Sequence, residues 1–174
     1  MMKNDFVMPI LILTLICFVV SGALAATNAL TEPIITADAA ERAEQAKIAA
    51  LPDATGFYEV VIDELPDSVR EIYASENDVG YVFTLVTRGY GGDITIICGI
   101  DNEGKLLTTN VLSHSETSGI GSKITEPQFT AMFIGADSEL EGVSAVTGAT
   151  ISTTAYINAI EDAFTALEMV MTNP

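Results

Sequence analysis

Three apolar runs decide the fold: Tyr81-Val82-Phe83-Thr84-Leu85-Val86-Thr87, Ile94-Thr95-Ile96-Ile97-Cys98 and the run over residues 106–112. Each is short, rich in β-branched and aromatic residues, and bounded by turn residues, which is strand behaviour. Asp101-Asn102-Glu103-Gly104 between the last two reads as a four-residue hairpin turn. Working outward, Phe57-Tyr58-Glu59-Val60-Val61-Ile62 predicts a further strand and residues 69–73 a weaker one. Downstream the period changes. Tyr156, Ile160, Phe164, Leu167 and Met171 recur at three- and four-residue steps, the apolar face of a closing helix. A short helix is expected near Glu126-Pro127. Upstream, residues 39–51 are helix formers stopped by Pro52, with Asp38 placed as N-cap. Strands in the middle and helices at the ends predict an α+β domain, a mainly antiparallel sheet flanked by helices.

The N-terminal end is of a different kind. Residues 6–26 carry no charge and are long enough to cross a bilayer as a helix. The expected organisation is therefore a transmembrane anchor over 1–26, a stalk with Pro33 over 27–37, and an extracytoplasmic domain over 38–174. A cleaved signal peptide is the rival reading, because Ala23-Leu24-Ala25 fits the small-residue cleavage pattern. Against it, the apolar run exceeds the roughly 7–15 residues of a signal h-region. Lys3 is the only base before the span and residues 27–41 hold none, so the positive-inside rule leaves the N-terminus in the cytoplasm.

The chain's 174 residues include 7 Lys and Arg against 24 Asp and Glu, a net charge of −17. With a pI near 4.1, it is repelled by nucleic acid and anionic lipid. A mean hydropathy of +0.39 beside that charge reflects two unlike segments summed. One histidine, His114, and two cysteines, Cys17 and Cys98, provide no disulfide framework, zinc set or nucleophile–base pair. No catalytic residue and no metal ligand is expected.

Three glycine-bearing stretches lie outside the predicted elements: Arg88-Gly89-Tyr90-Gly91-Gly92, His114-Ser115-Glu116-Thr117-Ser118-Gly119-Ile120-Gly121, and Ser144-Ala145-Val146-Thr147-Gly148-Ala149-Thr150. Glycine lets backbone approach a ligand or adopt positive φ, but each stretch taken alone reads as no more than a turn. The third runs into Ser152-Thr153-Thr154, read as the N-cap region of the closing helix. Its free N–H groups and dipole would then face Thr150, where a phosphate is the natural occupant.

Thr147-Gly148-Ala149-Thr150 resembles the (S/T)GAT flavinylation motif of the FMN-binding domain family. That family includes the G subunit of Rnf-type ion-translocating oxidoreductases and the C subunit of sodium-pumping NADH:quinone reductase. Glu116-Thr117-Ser118-Gly119-Ile120-Gly121 is similar to its ETPGLG segment, and Gly89-Tyr90-Gly91-Gly92 to the GYGG preceding its central hairpin. The order of the motifs, one N-terminal span and a closing helix resemble the Rnf G subunit most. Ser144 stands where the family has Asp, Ser118 where it has Pro, and Ile120 where it has Leu.

The resemblance implies FMN held covalently through Thr150 by a phosphoester, placed there by an external flavin transferase. It implies cofactor contacts from Thr147, Gly148, Ala149, Glu116, Thr117, Ile120 and Gly121. Glu116 either tunes the flavin electrostatically or is a solvated loop carboxylate. Likewise His114 either bonds near the flavin or ends a strand, and Tyr90 either stacks on the ring or is a half-buried tyrosine. The implied role is an electron-carrying subunit of a membrane complex coupling electron transfer to ion translocation, with other membrane subunits as partners. A free-standing membrane-anchored flavoprotein and a non-redox exported binding or scaffold module are the alternatives.

Overall fold

The computed structural model describes residues 4–62 and 64–172, with side chains from residue 7 onward. The chain divides into two compact units, residues 1–42 and 43–174. Helix α1, Asn4–Ala50, begins in the first and ends in the second.

In the first unit the side chains of residues 7–20 are all exposed. This apolar surface suits lipid and not water. The helix is long and apolar enough to cross a membrane, the one such helix among the described residues. Residues 27–37, expected as a stalk, are helical despite Pro33. Threonines here turn inward on the backbone: the Thr27, Thr31 and Thr36 hydroxyls donate to the carbonyls four residues earlier. Asp38 is consequently inside the helix, where it pairs with Arg42 at 2.7 Å and caps nothing. Lys3, on which the orientation rests, lies outside the described residues.

The second unit is a five-stranded antiparallel meander: β1 (Phe57–Glu59), β2 (Val69–Ser75), β3 (Gly80–Arg88), β4 (Asp93–Asp101) and β5 (Leu106–His114), paired in that order. The strands follow the predicted runs, except that β1 is shorter and stops at Glu59. Alternation along β4 explains the two faces. Ile94, Ile96, Cys98 and Ile100 enter the main core, whereas Ile97 joins Val82, Ala50 and Leu51 in a smaller one on the other face. The end of α1 lies so close to the sheet that a Cβ at Gly99 would stand 2.1 Å from the Ala50 carbonyl oxygen.

Covering the main face is the closing helix α3, Thr150–Thr172, with the short α2, Pro127–Thr130, beside it. The buried face of α3 contains Tyr156, Ile160, Phe164 and Leu167 as predicted, but Val170 takes the place expected of Met171, which is 47% exposed. Tyr156 is fully buried, stacked edge-on against Phe129, and its hydroxyl shares a 2.6 Å hydrogen bond with Thr109. Burial pushes that phenol's pKa well above the ordinary value.

Cys98 is buried to 0% exposure, and desolvation pushes its thiol pKa well up. Both effects suppress the thiolate. Maleimide labelling of the folded protein should leave the Cys98 peptide unmodified, with full labelling only in denaturant. Native labelling of that peptide would mean that the sheet core opens.

Candidate functional site

The three glycine stretches, each more than 20 positions from the next in sequence, meet at one place. The first is the turn between β3 and β4, closed by a 2.8 Å bond from the Gly89 N–H to the Gly92 carbonyl. The second leaves the end of β5. The third leads into α3. Between them is a pocket of about 400 Å³, within the range of small-molecule sites. Its walls are Tyr90 from the first stretch, Glu116, Thr117, Ile120 and Gly121 from the second, and Gly148, Ala149 and Thr150 from the third. Ile151 and Ser152 of α3 complete it. Seven of the eight sequence-predicted site residues therefore line a single cavity; Thr147 stands beside it, adjoining Gly148.

Glu116 is the hub. It is only 8% exposed, so it is not a solvated loop carboxylate. Its Oε1 accepts the Gly91 N–H at 3.2 Å, tying the β3–β4 turn to the loop after β5. Glycines form the cradle: a Cβ at Gly89 would stand 1.9 Å from Oε1, and one at Gly121 would stand 2.0 Å from Oε2. Oε2 is buried with no hydrogen-bond partner among the described residues, a condition rare in folded proteins. His114 ends β5 and accepts the Glu116 N–H on Nδ1 at 3.1 Å. It shapes the loop from outside and is not a wall of the pocket.

Gly91 has backbone against it: a Cβ there would meet the Ser115 carbonyl oxygen at 2.4 Å. Gly91→Ala should force the turn off the loop and break the Gly91–Glu116 bond. The expected cost is about 1–3 kcal/mol, read by urea unfolding. An unchanged midpoint would show that the two stretches are not held together as described.

At the other wall, Gly148 has φ +85°, a conformation glycine adopts without a steric penalty. This turn sets up the start of α3. The helix begins at Thr150, two residues before the expected cap, so Ser152 and Thr153 belong to its first turn and are buried. Thr153 is engaged internally: its Oγ1 donates to the Ala149 carbonyl at 3.0 Å and accepts the Val146 N–H at 3.1 Å. The Thr150 side chain, by contrast, is exposed and its hydroxyl makes no hydrogen bond among the described residues. A free hydroxyl thus stands at the positive end of a 23-residue helix, on the wall of a pocket. Tyr90, Ile120 and Ile151 are 73%, 55% and 58% exposed. They give the pocket an apolar rim suited to a flat ring system.

Sequence reasoning missed Ile151 and Ser152, because the helix start was placed too late, and Lys123, which is remote from Thr150 along the chain. The Lys123 Nζ donates to the Thr147 carbonyl at 3.2 Å. Only the path of the loop after β5 brings it there.

Comparison with known proteins gives a concordant result. The family profile described as FMN-binding domain matches residues 89–165, a span containing every pocket residue. The G subunit of the ion-translocating oxidoreductase complex of Methanosarcina acetivorans is 32% identical, over 88% of this chain and 90% of that protein. The G subunit of the Na(+)-translocating ferredoxin:NAD(+) oxidoreductase complex of Acetobacterium woodii is 28% identical, over 86% of each. Its counterpart in the proton-translocating ferredoxin:NAD(+) oxidoreductase complex of Clostridium ljungdahlii is 24% identical, over 87% of this chain and 85% of that one.

Proposed function

The chain belongs to the G-subunit family of ion-translocating oxidoreductase complexes, and from that premise we propose that it holds FMN covalently through the Thr150 hydroxyl. It is an electron-transfer subunit of such a complex, with an FMN-binding domain and one apolar helix suited to membrane anchoring. The observation that carries the covalent reading is the free Thr150 hydroxyl at the start of α3, on the wall of a glycine-cradled pocket.

The residues present fit the group. An ester phosphate at Thr150 would meet the N–H groups of the first turn of α3, which have no acceptor within the helix. Gly148 and Ala149 keep that approach free of bulk, and Thr147 borders it. Thr117, Ile120, Gly121 and Glu116, with Tyr90 and Ile151 at the rim, line the pocket that would hold the ribityl chain and ring. Glu116 opposes extra negative charge in the pocket and so lowers the tendency of the bound group to accept electrons. Bound FMN supplies exchange of one or two electrons; the protein supplies position, field and partial exclusion of water.

A threonine hydroxyl needs a base to become a nucleophile, and the one carboxylate on the pocket walls, Glu116, is bonded to the Gly91 N–H. Attachment by a separate flavin transferase is what the family resemblance implies. The domain itself turns over no substrate: it relays electrons between other membrane subunits, which also form the ion path, because one helix encloses no channel. The domain faces the extracytoplasmic side, following the charge of Lys3. Protease added to intact cells should digest it, and protection would reverse the orientation.

Two measurements test the proposal in full-length protein co-expressed with a flavin transferase. Intact mass should exceed that of the bare chain by one esterified FMN, and yellow colour should stay with the chain through denaturation and precipitation. A bare-chain mass would overturn it.

A further inference from the structure

We infer that Lys123 is the counter-ion of the phosphate group anchored at Thr150, and so a positioning residue for the cofactor; this rests on the covalent reading above. The domain is poor in cations, and those in described ion pairs, Arg42, Lys47 and Lys105, are engaged with Asp38, Glu44 and Asp137. Lys123 forms no ion pair among the described residues. Its ammonium donates to the Thr147 carbonyl at 3.2 Å and stands 3.8 Å from the Cβ position of Gly148. An ammonium has three N–H donors, so two remain for another acceptor beside the Thr147-Gly148-Ala149-Thr150 turn.

The position is specific for an anion. The chain's net charge of −17 disfavours a phosphate almost anywhere on it. On the Glu116 side of the pocket, a buried carboxylate with an unpartnered Oε2 repels one directly. By the Thr147 turn, the Lys123 ammonium and the α3 N-terminus act together on the same spot. A carbonyl-held lysine also needs little further ordering to pair, which reduces the entropy cost that weakens most exposed ion pairs. The 3₁₀ segment Gly121–Thr125 places Lys123 there while Gly121 lines the pocket, so one short element supplies both a wall and the cation.

The test compares wild type, Lys123→Gln and Lys123→Arg, each prepared with and without FMN by co-expressing or omitting the transferase. Thermal melting of all six forms isolates the phosphate-dependent part, because loss of the Lys123–Thr147 hydrogen bond affects loaded and unloaded protein alike. The loading-dependent change in melting temperature should be less favourable in the glutamine variant and kept in the arginine variant. The ³¹P resonance of the ester should move in Lys123→Gln and stay near wild type in Lys123→Arg. Under limiting transferase, the glutamine variant should load about two- to fivefold more slowly, the worth of a half-exposed ion pair. Should Lys123→Gln match wild type in both the ³¹P shift and the loading-dependent melting change, the inference fails while covalent attachment stands. Should wild type carry no FMN mass, the parent reading fails first.

Discussion

Thr150→Ala is expected to yield a folded, colourless protein whose intact mass equals that of the bare chain, even with the transferase present. The loss should be complete, because an ester needs an oxygen and alanine has none. Among the described residues Thr117 is also an exposed pocket-wall hydroxyl, but it lies in the loop after β5, and Thr150 is the exposed one at the start of α3. Thr153 is fully buried and bonded to the Ala149 carbonyl and the Val146 N–H. Ser152 is 1% exposed, and Thr147 stands outside the pocket wall on the far side of the Gly148 turn. Folding should be unaffected: the Thr150 side chain is exposed and supports no hydrogen bond among the described residues, and alanine is a good helix residue. Far-UV circular dichroism and the urea midpoint should therefore match unloaded wild type. Thr150→Ser, which keeps the oxygen, separates chemistry from shape and should retain some loading. Covalent FMN on the Thr150→Ala chain would place the attachment elsewhere and remove the basis for the functional assignment.

Tyr156→Ala should produce the largest loss of stability in the domain. Tyr156 is completely buried, and its ring centroid lies 5.2 Å from Phe129 and 5.3 Å from Phe133. Removing the ring opens a cavity among packed aromatics and leaves the buried Thr109 hydroxyl without its 2.6 Å partner. Large-to-small aromatic substitutions of this kind cost about 3–5 kcal/mol, a large part of the stability of an ordinary domain. The melting temperature should fall by roughly 10–20 °C. Tyr156→Phe keeps the ring and loses only the hydroxyl, so it should cost about 1–3 kcal/mol from the unpaired Thr109. A loss below about 1 kcal/mol for the alanine variant would mean that the core is not packed as described. The functional consequence follows from position: Tyr156 lies less than two turns into α3 from Thr150 and pins the helix whose first turn forms the pocket wall. Loading should therefore fall in Tyr156→Ala well before the protein unfolds outright.

Most of the strands were legible because their signal is local. In β3 and β4 the β-branched and aromatic residues alternate faces, and turn residues flank both strands. The start of α3 was less legible. Ser152-Thr153-Thr154 has the composition of a cap, yet the positive φ of Gly148 starts the helix earlier and buries two of those hydroxyls. Residues 27–37, read as a stalk from Pro33, are helical, and their threonine hydroxyls bond back along the helix, which is compatible with its continuing.

By itself the sequence determined most of the order and type of the elements, the long apolar N-terminal helix and the three motifs carrying the family resemblance, since all of these are written in neighbouring residues. It could not determine that the glycines of two motifs leave space for the carboxylate of Glu116, that one of its oxygens is left without a partner, or that Lys123 stands beside the Thr147-Gly148-Ala149-Thr150 turn. Those facts depend on distances between residues remote along the chain. Only the pairing of β3, β4 and β5, with α3 packed across them, brings such residues within a few ångströms.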